Sequence, residues 1–179
     1  MNLGKAPGIV VALDLSLAEA GALVQKLKPA EDKIAGYKVS SLNAIEHGLK
    51  ATVAELRQFT EKPIIYDHQK GCTDIPNIVE KQVKLAGECG VNSFIAVPLG
   101  AGGETLTAFV NACKEMRILP IVLLEMTHEG ATSYLKPQTP NLVFEKAKEL
   151  GVKYFVAPGN KPQKILELKA KMDEDMFIT

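Results

Sequence analysis

A chain of 179 residues, 46% hydrophobic and 23% charged, is long enough for one well-buried domain and too apolar for disorder. Its 21 basic side chains balance its 21 acidic ones, so no global field recruits nucleic acid or an acidic membrane, and the expected partner is a small molecule. Cys72, Cys89 and Cys113 have neither metal-site spacing nor the density of a disulfide scaffold and read as reduced thiols. Met1 to Pro7 has no apolar signal core, and no apolar run reaches the roughly 18 residues of a membrane span, which places the chain in the cytoplasm.

In chain order, strand and helix signals alternate. Gly8 to Asp14 is a short apolar, partly β-branched run. Ser16 then caps a helix to about Leu27, with Glu19 at the capping-box spacing. Ile34 to Ser40 is a second strand carrying Lys38. Asn43 opens a helix to Phe59, with Ile45, Leu49, Val53 and Leu56 at helical spacing.

Pro63 to Asp67 is the third strand, and its helix runs from about Asn77 to Cys89, stopped by Gly90. Ser93 to Leu99 is the fourth strand, followed by the glycine-rich loop 100–103 and a helix from Glu104 to Met116. Leu119 to Leu124 has hardly a polar atom, as a strand buried on both faces requires. After a long polar connection, Glu125 to Pro140, a helix spans Asn141 to Leu150. A sixth strand spans Tyr154 to Ala157, a helix Lys161 to Met172, and a seventh strand begins at Met176.

Alternation without an Asn-Gly or Asp-Gly hairpin signal predicts right-handed βαβ units in a parallel sheet. Both a doubly wound open sheet and a barrel are built this way. The open sheet's Gly-x-Gly-x-x-Gly loop is absent after the first strand, where Leu13-Asp14-Leu15-Ser16 stands. Polar residues at successive strands (Asp14, Lys38, Asp67 and Thr127) suit the catalytic rim of a (β/α)8 TIM-type barrel. The expectation is a single barrel domain over residues 1–179 that ends near strand seven and is therefore incomplete.

The most chemically loaded stretch is Pro63 to Pro76, where a buried strand gives way to Asp67, Lys70 and Asp74. Taken alone, an acid-base-acid loop is more often a solvated charge cluster; its place at a strand end followed by Asp-Ile-Pro reverses that preference in favour of a site. His68 and His128 flank the cluster, but no second ligand lies at a recognised spacing, so solvated or hydrogen-bonded imidazoles are expected and no metal. Cys72 lacks a nearby base and reads as a small filler.

Leu13-Asp14, Tyr37-Lys38-Val39, Asp67...Lys70...Asp74-Ile75-Pro76 and Met126-Thr127-His128-Glu129-Gly130-Ala131 follow one another at strand ends in the order of the orotidine 5'-phosphate decarboxylases, a family the chain resembles over nearly its whole length. The resemblance implies cofactor-free decarboxylation of orotidine monophosphate to UMP in pyrimidine biosynthesis. Lys70 would stabilise and protonate a C6 carbanion, Asp67 would face the substrate carboxylate, and Lys38 would pair with Asp67. Asp74 and Ile75 would reach the neighbouring subunit's site in a homodimer. Asp14 would meet the ribose and Thr127 the pyrimidine amide edge.

The chain departs from the family pattern in three places. The family spaces its cluster Asp-x-Lys-x-x-Asp; here two residues separate Asp67 from Lys70 and three separate Lys70 from Asp74. A bulge at His68 or Gln69, with Gly71 absorbing the further residue, is the expected remedy. Ile78 replaces a threonine common in the family. The family's phosphate grip follows strands seven and eight, so no residue up to Thr179 can be assigned to it; an exposed sheet edge argues for a fragment of a longer chain. A magnesium-dependent sugar-phosphate decarboxylase or aldolase of the same suprafamily is one rival reading, and a non-catalytic nucleotide-binding or assembly protein is another.

Overall fold

The computed structural model describes residues 3, 7–68 and 71–178. Seven strands, β1 (Ile9–Ala12), β2 (Ile34–Ser40), β3 (Ile64–Asp67), β4 (Ser93–Ala96), β5 (Leu119–Leu123), β6 (Tyr154–Val156) and β7 (Phe177–Ile178), form one sheet in sequential order. Every adjacent pair is parallel. A doubly wound sheet reverses its strand order at a switch point; this one never reverses, which is the order of a barrel wall. β1 and β7 are not paired with each other among the described residues, so the barrel is incomplete.

Among the described residues, seven α-helices connect and flank the strands: α1 (Leu17–Lys26), α2 (Ser41–His47), α3 (Leu49–Leu56), α4 (Pro76–Glu88), α5 (Gly102–Met116), α6 (Thr139–Glu149) and α7 (Pro162–Lys169). Strand alternation sorts the core into two layers. Ile64 and Tyr66 of β3, Phe94 and Ala96 of β4, and Val122 of β5 pack with helix residues such as Val79, Val83, Leu106 and Phe109. Ile65, Ile95, Ile121 and Leu123 point the other way and join Tyr154 and Leu3 in a second cluster. A cavity of about 250 Å³ is lined from the latter side by Val10, Lys38, Ile65, Asp67, Ile95, Ile121, Leu123 and Val156. Residues of β1 through β6 can line one cavity only if the sheet curls around it.

Two local expectations change. The helix read as one span from Asn43 to Phe59 is two. Gly48 stands between them at φ +79°, a left-handed conformation that glycine adopts without steric cost. The break puts Ile45 at 82% exposure while Val53 and Leu56 stay buried, so the four apolar positions do not share one face. Asn43 is the third residue of α2 and closes a capping box with Ser40. A 3-10 helix at Lys28–Lys33, with Pro29 in its first turn, also joins α1 to β2 where no element was read. Of the expected seventh strand, Thr179 lies outside the described residues.

Candidate active site

Among the described residues, the fold brings the predicted site residues Lys38 and Asp67 into contact across neighbouring strands. Parallel register sets Lys38 opposite Ile65, two positions before Asp67 and on the same face. The lysine side chain spans that step, and its Nζ lies 2.5 Å from Asp67 Oδ2. Asp67 is 5% exposed, and its other oxygen, Oδ1, has no hydrogen-bond partner among the described residues. A buried carboxylate requires compensation. Lys38 supplies part of it from inside the cavity that both residues line.

The chain leaves the strand immediately after Asp67. Gly71 N–H donates to His68 O at 2.6 Å, spanning the segment that contains Gln69 and Lys70, and Gly71 O accepts from Val97 N–H at 2.9 Å. Gly71 is thus anchored on β4's continuation, and the bulge expected at His68 or Gln69 falls on a segment that includes residues outside the described ones. Lys70 itself lies outside the described residues. A Cβ on Gly71 would sit 2.7 Å from Phe94 Cε2 and 2.8 Å from His68 O, so the turn needs glycine for close approach. Cys72 follows at φ +68°, fully buried, with burial pushing its thiol up to about 12; it fills space as a neutral group.

Behind the turn is an aromatic layer. Tyr66 Oη and His68 Nδ1 share a hydrogen bond of 2.9 Å, and their rings stack at 5.2 Å beside Phe94. Burial pushes the Tyr66 hydroxyl up to about 12, so it stays protonated. His68 is therefore a hydrogen-bonded imidazole, as the sequence suggested.

The remaining predicted residues stand exposed on loops after their strands: Asp14 after β1, Asp74 and Ile75 after β3, Thr127 after β5. All belong to the carboxyl-end rim, and none of them lines the internal cavity. Asp14 borders a separate surface groove with Leu15, Leu42 and Ile45. Asp74 is held by its backbone, whose carbonyl accepts from Thr105 Oγ1 at 3.1 Å, while its carboxylate caps Ile75 N–H at 2.7 Å. Ile75 is 59% exposed, and Pro76 starts α4 directly behind it.

Sequence reasoning missed the residues that tie these loops together. Asn43, 2% exposed, donates from Nδ2 to Leu15 O at 2.9 Å and so fixes the loop after β1. Glu125, 4% exposed, accepts from Lys161 Nζ and Lys164 Nζ at 2.5 Å each. Burial raises its carboxyl, and the two lysines more than offset this, leaving it below the ordinary 4.5. Asn160 Nδ2 donates to Thr127 O at 3.1 Å. An acid directly after an apolar strand was the available signal for Glu125.

Parallel strands wrapped around a cavity with a partly buried ion pair, and polar loops along one rim, define a β/α-barrel enzyme. The family model Orotidine 5'-phosphate decarboxylase / HUMPS family matches residues 7–176, and the chain belongs to that family. Orotidine 5'-phosphate decarboxylase of Pyrococcus furiosus is 29% identical over 170 residues, which cover 95% of this chain and 75% of the relative. The Methanocaldococcus jannaschii enzyme of the same name is 29% identical over 169 residues, 91% of this chain and 73% of the relative. Among solved structures, orotidine 5'-monophosphate decarboxylase from M. jannaschii, complexed with the inhibitor BMP, superposes with a TM-score of 0.81 at 27% identity, covering 94% of this chain and 76% of that one. The Pyrococcus horikoshii enzyme superposes with a TM-score of 0.80 at 26% identity, with the same coverage.

Proposed function

We propose that this chain decarboxylates orotidine 5'-phosphate to UMP, without metal or organic cofactor, in a cytoplasmic homodimer. The observation that carries the reading is the pair of half-buried Lys38 and buried Asp67 facing the barrel cavity, with Asp67 Oδ1 unpaired among the described residues, at the head of the sequence Asp67...Lys70...Asp74-Ile75-Pro76. In this mechanism the C6–carboxylate bond breaks, carbon dioxide leaves, and the bonding electron pair stays on C6. The Lys70 ammonium stabilises that charge and then transfers its proton to C6, after which solvent reprotonates the amine. Asp67 lies against the departing carboxylate, and Lys38 pairs with Asp67.

Asp14 hydrogen-bonds the ribose, and Thr127 meets the amide edge of the pyrimidine. Asp74 and Ile75 complete the site of the second subunit; the exposure of both, on a loop pinned to α5, supports their availability to a neighbour. The decisive assay is decarboxylation of orotidine 5'-phosphate in the presence of a chelator. Turnover that persists supports the cofactor-free reading. Turnover that appears only with magnesium, or only on a sugar phosphate, replaces it with the metal-dependent branch of the suprafamily.

A further inference from the structure

The loop after β5 is fastened to the segment after β6 at three successive points. Leu124 N–H donates to Val156 O at 3.0 Å, Glu125 holds Lys161 and Lys164, and Asn160 Nδ2 donates to Thr127 O at 3.1 Å. Lys161 directly precedes α7 and Lys164 lies in its first turn, so the carboxylate gathers the start of that helix against the end of β5. A carboxylate that is 4% exposed is a costly anchor. An apolar contact would hold two loops together at less cost, but a charged one fixes direction as well as proximity.

What the anchor fixes is the backbone of Thr127. With one lone pair of the Thr127 carbonyl taken by Asn160, the donors this residue can turn towards a ligand are its N–H and its hydroxyl. These are the groups that recognise the acceptor and donor pattern of a pyrimidine amide edge. We infer that Glu125 and Asn160 are positioning residues for base recognition, holding Thr127 so that its N–H and hydroxyl face the base. The inference rests on the reading of Thr127 given above.

The experiment compares wild type, Glu125→Gln and Asn160→Ala for binding of UMP and of ribose 5-phosphate, which keeps sugar and phosphate but lacks the base. Losing one well-placed hydrogen bond should weaken UMP about tenfold in each variant. Ribose 5-phosphate binding stays as in wild type, and KM for orotidine 5'-phosphate rises more than kcat falls. UMP affinity unchanged in both variants overturns the inference, as does an equal weakening of both ligands, which marks general structural damage. Asn160 is exposed, so its variant carries the test even if Glu125→Gln does not fold. A wild-type protein that neither binds UMP nor turns over substrate refutes the functional reading itself, and this inference with it.

Discussion

At the scale of single residues, the contact that the family resemblance implied and the fold forms is the Lys38–Asp67 pair. Both residues interrupt apolar strands on the same face, and the half-buried lysine meets the buried acid one strand away. Replacing Lys38 by Met leaves Asp67 buried beside an apolar group. Urea unfolding should show a loss of at least about 3 kcal/mol, the cost of orphaning a buried charge. A loss below about 1 kcal/mol would mean that other groups carry the compensation. Glu125 and Asn43 were not legible as anchors because their partners lie 36, 39 and 28 residues away along the chain, and only the curled sheet brings those loops together. The separation of Asp14 and Thr127 from the internal cavity was hidden for a similar reason: the sequence marks a residue as following a strand, not the direction its loop then takes.

At the scale of elements, strands such as β3 and β4 were readable because burial on both faces leaves a largely apolar run, and β2 falls on the residues predicted, Ile34 to Ser40. The capping box of Ser16 and Glu19 likewise forms as read, with Glu19 Oε2 accepting from Ser16 N–H at 3.1 Å. The helix broken at Gly48 was misread because apolar spacing alone carries across a glycine that the backbone uses at positive φ. The extra residue between Asp67 and Lys70 is the element-level novelty of this chain. The hydrogen bond from Gly71 to His68 brackets that segment, and the Phe94 ring lies across the place a side chain on Gly71 would need. Gly71→Ala should therefore lower stability by about 1–3 kcal/mol through overpacking against a ring and a backbone carbonyl. Circular dichroism melts compared with Gly48→Ala, where nothing lies within 4 Å and strain is conformational alone, separate the two causes. Equal small losses at both positions would show that the turn tolerates a Cβ.

At the scale of the whole molecule, seven parallel strands in sequential order present an internal ion pair and a rim of exposed polar loops, and the chain spans three quarters of the length of its relatives from Pyrococcus and Methanocaldococcus. The exposed Asp74-Ile75 corner bears on assembly. Mixing Lys70→Ala subunits with Asp74→Ala subunits, each inactive alone, should regenerate part of the activity if each site draws Lys70 from one subunit and Asp74 from the other. A complete lack of rescue in mixed dimers contradicts a shared site. The central claim, protonation of a C6 carbanion by Lys70 without a metal, is tested most directly by the decarboxylation rate of Lys70→Ala against wild type on orotidine 5'-phosphate in excess chelator. The account predicts a wild-type rate unaffected by the chelator and a loss of about a thousandfold or more in the variant, the scale of a major transition-state charge contact; a variant that turns over at the wild-type rate contradicts it.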